Sequence, residues 1–371
     1  MTAPLIQDDA ALRALCARLA GAEWIALDTE FMRVRTYSAR LCLIQVATPE
    51  VIACIDPLAV NIDPLLDLLY EPRALKVLHA ARQDLEVFFD IRQAVPAPVF
   101  DTQIAAALTG YDDQIGYSAL VEKITGQLLP KVNQRADWAA RPLTPELVAY
   151  AADDVRYLCE VYRHLEQKLA ALGRRGWLVE ECAAQTDVKL YRNDPELAWQ
   201  RLKQGKTLTL AQQPVLAQLA AWRERVAQQK NLPRGWVVPD PVLVDIARVQ
   251  PETLEHLATI PDMEPALARR FGGEILAIVD QGKRLGPQRL WQESSRPEPE
   301  QQRLLDAVSS RIQACAREHG VSATLLAPRR EMVKFVLNEP DCALLRGWRH
   351  QLIGAELVTL RASAGNPKIT A

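Results

Sequence analysis

The stretch Trp24-Ile-Ala-Leu-Asp-Thr-Glu30 decides how the chain is read. Its first four residues form an unbroken apolar run, the composition of a strand covered on both faces, and two acids follow two residues apart. Side chains alternate along a strand, so Asp28 and Glu30 project to one side, where two carboxylates repel each other unless a cation lies between them. Acids at the end of a central strand also sit on the rim of a sheet, where α/β proteins build their sites. Taken alone, the pair fits equally well an exposed strand end carrying two solvated acids.

The neighbouring sequence supplies the rest of an α/β domain. Leu41-Cys-Leu-Ile-Gln-Val-Ala47 and Val51-Ile-Ala-Cys-Ile55 read as two further strands with Thr48-Pro49-Glu50 as the turn, which together with 24–30 predicts an antiparallel meander. Lys76-Val-Leu-His79 reads as a fourth strand, followed by a helix through Asp84, Leu85, Val87, Phe88 and Ile91. Asp84 then serves by default as a first-turn acid on the helix dipole, and His79 as a hydrogen-bonded structural residue, since a hard cation prefers oxygen. Asp101 is a good N-cap for a helix through Ile104, Ala105 and Leu108. Thr144-Pro145-Glu146 starts a long amphipathic helix with apolar residues at 147, 151, 155, 158, 162 and 165. On it Tyr150 and Asp154 stack one turn apart, while Asp153 is turned away by about 100°. A solvated Tyr/Asp pair is the plain alternative.

Beyond Leu208 the pattern turns helical and repeats. Leu219–Ala227, Leu232-Pro233, Val238-Pro239 and Leu243–Ile246 are echoed about ninety residues later by Val308–Ala316, Val321-Ser322, Ala327-Pro328 and Met332–Phe335, in spacing and apolarity more than in identity. Gly286-Pro287 and Ser294–Glu300 have linker composition. The expected organisation is an α/β domain over 1–170, a helical connector over 171–207, a helical domain over 208–287, a linker over 288–300, a second helical domain over 301–362 and a polar tail over 363–371. A length of 371 residues suits such a multidomain chain.

Composition narrows the class. The chain is 49% apolar and 24% charged, which excludes fibrous and wholly disordered proteins. No apolar run approaches the roughly 20 residues of a membrane helix, and Asp8 and Asp9 lie where a signal peptide would be basic, so a cytoplasmic protein without membrane attachment is expected. Seven scattered cysteines without a C-x-x-C pair read as reduced, packed thiols. The net charge of −2 conceals a split: residues 1–200 hold 20 Lys+Arg against 28 Asp+Glu, and residues 201–371 hold 24 against 18.

The combination of Asp28, Glu30, Asp84 and Asp154, with Tyr150 one turn before the last, resembles the DEDD exonucleases, in the variant with tyrosine in its third motif. Leu-Asp-Thr-Glu-Phe31, Leu-Cys-Leu-Ile-Gln45, His79 to Asp84, Phe-Asp-Thr-Gln103, Asp-Trp-Ala-Ala-Arg-Pro-Leu143 and Tyr-Ala-Ala-Asp-Asp-Val-Arg-Tyr-Leu158 narrow this to the ribonuclease D family. The resemblance covers roughly 1–170, and the doubled helical region is similar to HRDC modules. It implies a ribonuclease H-like exonuclease domain with a mixed sheet, followed by two small all-α HRDC-like domains.

The resemblance further implies that Asp28, Glu30, Asp84 and Asp154 hold two divalent ions, Mg²⁺ or Mn²⁺, which lower the pKa of the attacking water and stabilise the leaving oxygen. With a phenol pKa near 10, Tyr150 is no strong base and aims the water instead. The implied reaction removes nucleotides from the free 3′ end of structured RNA such as tRNA precursors, by a chain acting as a monomer. For the basic back half, Arg269, Arg270, Lys283, Arg284, Arg329 and Arg330 are candidate contacts to the RNA backbone, with protein contact as the alternative. A DNA exonuclease and a non-catalytic RNA-binding scaffold are the competing readings. The scaffold predicts a missing carboxylate, and all four are present.

Overall fold

A computed structural model of the chain describes residues 3–129, 136–291 and 298–364. Parts of the expected linker (292–297) and of the polar tail (365–371) lie outside the described residues. The chain divides into two compact units, one made of residues 1–32, 41–190 and 296–371, the other of 33–40 and 191–295.

The first unit is built on six strands: β1 (Leu5–Ile6), β2 (Trp24–Met32), β3 (Arg40–Ala47), β4 (Ile52–Ile55), β5 (Leu75–Leu78) and β6 (Val99–Asp101). They lie in the order β1-β4-β3-β2-β5-β6. The sheet is mixed, as expected: β3 and β4 are antiparallel, whereas β1 pairs with β4, β5 with β2, and β6 with β5, all in parallel. The apolar half of β2 is buried to within 1% exposure at Ile25, Ala26 and Leu27, as befits a central strand.

Helices α1 (Asp9–Leu19), α2 (Asp63–Tyr70), α3 (Arg82–Arg92), α4 (Thr102–Leu108), α5 (Tyr117–Thr125), α6 (Pro145–Ala171) and α7 (Arg175–Gln185) complete the α/β layer. The start signal of α6 works as read: Thr144 Oγ1 accepts from the amide of Leu147 at 3.3 Å, and Pro145 follows at the first helical position. The face carrying Ala151, Val155, Leu158 and Leu165 is buried. Lys76 is fully buried at the centre of β5, its ammonium donating to the carbonyls of Glu71, Ala74 and Ala97 at 3.0, 2.7 and 2.6 Å.

The second unit comprises α8 (Gln213–Lys230), α9 (Arg234–Val237), α10 (Asp240–Val249), α11 (Leu254–Ala258) and α12 (Pro265–Arg284) around a core of Leu216, Leu219, Val242, Ile246, Phe271 and Ile275. Short 3₁₀ turns fill the preceding connector, and Tyr37 donates its hydroxyl to buried Glu224, which also pairs with Arg234 at 2.6 Å.

Residues 301–362 differ from the expectation of a body of their own. Helices α13 (Pro299–His319), α14 (Ala323–Leu326), α15 (Arg329–Val336), α16 (Gly347–Arg349) and α17 (Ala355–Ala364) share one apolar core with the sheet layer. Leu305, Ile312, Phe335 and Trp348 join the same cluster as Val77, Phe100, Leu108 and Leu178. Trp348 stacks on Trp177 of α7 with ring centroids 4.7 Å apart and donates to Glu181 Oε1 at 2.8 Å, while the buried Arg174 donates to the carbonyl of Leu108 at 2.7 Å and to that of His319. An amphipathic helix hides its apolar face against whichever surface completes it, and for α13 that surface is the α/β layer.

Two backbone features recur at the spacing of the echo. Asn231 and Gly320, 89 residues apart, both end their helices in the left-handed region, and Pro239 and Pro328, also 89 apart, both sit at N-caps. All seven cysteines are free thiols. Among the described residues, no helix is long and apolar enough to cross a membrane.

Candidate active site

Period-two alternation puts Asp28 and Glu30 on one face of β2 and the buried Thr29 on the other. Across from them, α6 presents Tyr150 and Asp154 one turn apart. Carboxylate oxygens of Asp28, Glu30 and Asp154 come within 4.8 Å of one another, although 126 residues separate the first from the last. Asp84, buried in the first turn of α3, stands outside that group of three, its Oδ1 accepting from Thr29 Oγ1 at 2.5 Å. Its charge nevertheless reaches the group and contributes to the rise in pKa of Asp28 and Glu30.

Electrostatics here follow from crowding. Burial, reinforced by the charges of Asp84, Asp154 and Glu30, lifts the Asp28 carboxyl well above the usual carboxylate range. Burial and the charges of Asp154 and Asp84 push Glu30 up to about 8. Burial and the neighbouring Asp153 push Asp154 to about 7. Asp84 rises to about 6 through burial, opposed by the Thr29 hydroxyl. Such a set is unfavourable when fully ionised and welcomes positive charge. Its donors are all oxygen, which suits a hard divalent cation.

A cavity of about 160 Å³ is lined by Asp28, Tyr150, Asp154, His79, Tyr117 and Leu158. His79 is bound at both ring nitrogens, Nδ1 to Thr102 Oγ1 at 2.9 Å and Nε2 to the carbonyl of Ile115 at 3.1 Å, and burial lowers its pKa. It therefore forms wall rather than ligand, the role read for it in sequence. Tyr117 is a site residue that sequence reasoning missed: its hydroxyl donates to the backbone carbonyl of Asp154. No spacing could have found it, because the contact joins α5 to α6. Asp153 points elsewhere and pairs with Arg156.

The comparisons with known proteins fit this geometry. A family model described as 3′-5′ exonuclease matches residues 4–170, and an HRDC domain model matches 212–279. Ribonuclease D of Nitrobacter hamburgensis is 37% identical over 96% of this chain and 94% of its own, and that of Pseudomonas paraeruginosa is 38% identical over 98% and 100%. The chain belongs to the ribonuclease D family. Its activity is that of a 3′→5′ exoribonuclease, a phosphodiester hydrolase. The crystal structure of Escherichia coli RNase D, described as an exoribonuclease involved in structured RNA processing, superposes with a TM-score of 0.88 at 34% identity, covering 98% of this chain and 99% of that one. A DEDD exonuclease domain of the ribonuclease D family implies divalent metal ions.

The basic candidates fall in both units. In the second, Arg269 and Arg270 are exposed on α12, Arg270 with its guanidinium 4.9 Å from the Phe271 ring centroid. Lys283 pairs with Glu252 at 2.8 Å and Arg284 with Asp280. In the first, Arg329 and Arg330 are exposed at the start of α15, with Arg330 3.9 Å from Glu331.

Proposed function

We propose that Asp28, Glu30, Asp84 and Asp154 hold two divalent cations, Mg²⁺ or Mn²⁺, and that the site trims 3′ extensions from structured RNA such as tRNA precursors, releasing nucleoside 5′-monophosphates. The observation that carries this reading is the meeting of three carboxylates within 4.8 Å, each with its pKa raised. Divalent cations bound there supply a lowered pKa for the attacking water and a counter-charge for the leaving 3′ oxygen. The residues do the rest by position. Asp28 and Glu30 are fixed by β2, the central strand, and Asp154 by a helix whose backbone Tyr117 grips at that very residue.

Tyr150 acts as a donor. Burial and the charges of Asp154, Glu30 and Asp28 hold its phenol above its ordinary value, so it keeps its proton at neutral pH and orients the attacking water through a hydrogen bond. Backbone contacts to RNA fall to Arg269, Arg270, Arg329 and Arg330, with Lys283 and Arg284 able to trade their acids for phosphates, since exposed ion pairs are worth at most about 1 kcal/mol. We place the chain in the cytoplasm as a monomer.

The test is to incubate a 3′-extended tRNA and a matched single-stranded DNA with wild type and Asp28→Asn, with and without Mg²⁺. Stepwise shortening of the RNA that needs both the acid and the metal is the expected result. Activity surviving in Asp28→Asn, or faster removal of DNA than RNA, would reject the reading.

A further inference from the structure

The connection from β5 to α3 is strained. Ala80 has φ of 54°, in the left-handed region that glycine tolerates better than alanine, and Ala81, the N-cap of α3, offers no side-chain cap of its own. Three residues further on stands Asp84. A helix start of this kind needs its orphan amides satisfied from outside.

Asp101, at the end of β6 and 1% exposed, does so. Its Oδ1 accepts from the amides of Ala80 at 3.0 Å and Gln103 at 2.9 Å; its Oδ2 accepts from the amide of Ala81 at 2.9 Å and from Gln185 Nε2 at 3.2 Å. One carboxylate thus serves the N-termini of α3 and α4 together, and α7 clamps it from behind. The adjacent Thr102 holds the residues just before the turn, with Oγ1 3.0 Å from the Leu78 carbonyl and 2.9 Å from His79 Nδ1.

We propose that Asp101 is a positioning residue: by holding the amides of the left-handed Ala80 and of Ala81 it sets where α3 starts, and so where the Asp84 carboxylate stands relative to Asp28. This rests on Asp84 being a cation ligand. Four N–H groups converge on Asp101, so an acceptor is required on both oxygens. Asparagine would turn an NH₂ toward two of these donors and release the turn.

Mn²⁺ binding to the full chain, followed by calorimetry alongside RNA turnover, tests the proposal. Asp101→Asn should raise the half-saturating Mn²⁺ about tenfold and lower kcat at fixed metal, with KM for RNA within about twofold of wild type. Adding Ala80→Gly, which removes the strain, should recover part of the metal affinity. Gln185→Met, which removes one of the donors to Asp101 and leaves Asp101 in place, should give a shift of about twofold in the same direction and decides the matter if Asp101→Asn does not fold. Wild-type Mn²⁺ affinity in Asp101→Asn, or in Gln185→Met when the first variant is unfolded, overturns the proposal, as does a double variant no better than Asp101→Asn. The Asp84→Asn variant separates the two levels: if it binds Mn²⁺ and turns over RNA like wild type, Asp84 is no ligand and the underlying reading fails. If it loses both while the Asp101 and Gln185 variants behave as wild type, only the role of Asp101 is lost.

Discussion

Titrating the metal-free chain with Mn²⁺ at pH 7 should expel on the order of one to two protons per site, because the carboxylates that receive the cation are not all ionised beforehand. With Glu30 near 8, Asp154 near 7 and Asp84 near 6, the site as a whole holds on the order of one to two carboxyl protons at pH 7. Calorimetry in two buffers of different ionisation enthalpy counts the released protons. The slope of log affinity against pH equals that count, so affinity should rise about tenfold from pH 7 to 8 and flatten above about pH 9. The same groups bind more protons in the folded metal-free state than in the unfolded chain between about pH 4 and 8, so their contribution to stability is fully present below about pH 4 and is lost progressively as pH rises to about 8. A bound cation reverses that loss. Glu30→Gln, which carries no titrating group, should release about one proton fewer and show a shallower decline. No proton release at pH 7, or identical behaviour of wild type and Glu30→Gln, refutes the reasoning.

Tyr150→Phe should lower kcat about 10- to 100-fold while calorimetric Mn²⁺ affinity stays at the wild-type level, and full turnover in this variant would remove the water-orienting role. Arg141→Ala should cost about 3–5 kcal/mol in urea unfolding, because Arg141 binds both oxygens of Asp56 at 2.7 Å and leaves that carboxylate, 1% exposed, without its counter-charge; a loss below 1 kcal/mol would contradict this. Trp348→Ala should cost about 3–5 kcal/mol and lower the temperature at which nuclease activity is lost along with that of the helical signal, whereas two separate transitions would show that α13–α17 fold apart from the sheet layer.

Much of the architecture could be read before any coordinates because the deciding elements are long or well punctuated. Strands β2 to β5 are apolar runs bounded by turn residues, and α6 opens on a threonine cap followed by proline. β1 and β6, two and three residues long, are too short to show a period. The destination of 301–362 was illegible for another reason: amphipathicity reveals that a helix has an apolar face and not what covers it. The directions of Asp28, Glu30 and Asp154 were legible because strand and helix periods fix them, whereas Asp84 entered the set only through the family resemblance. Thr29, Tyr117 and Asp101 were not, since each acts through a contact across 20 or more residues of sequence, and the reading of Asp101 as a cap for α4 could not disclose its hold on Ala80 and Ala81.

The shared core of the sheet layer and α13–α17 also sets a clock. Asp154 emerges from the ribosome early, yet Phe335, Leu344, Trp348 and Leu357 are part of the cluster that closes over α6 and the strands. At 5–20 residues per second, synthesis from Asp154 to Leu357 takes roughly 10–40 s, during which the core that supports the carboxylates is incomplete. A growing chain of this design therefore holds all its acids before the helices that complete their supporting core have been made.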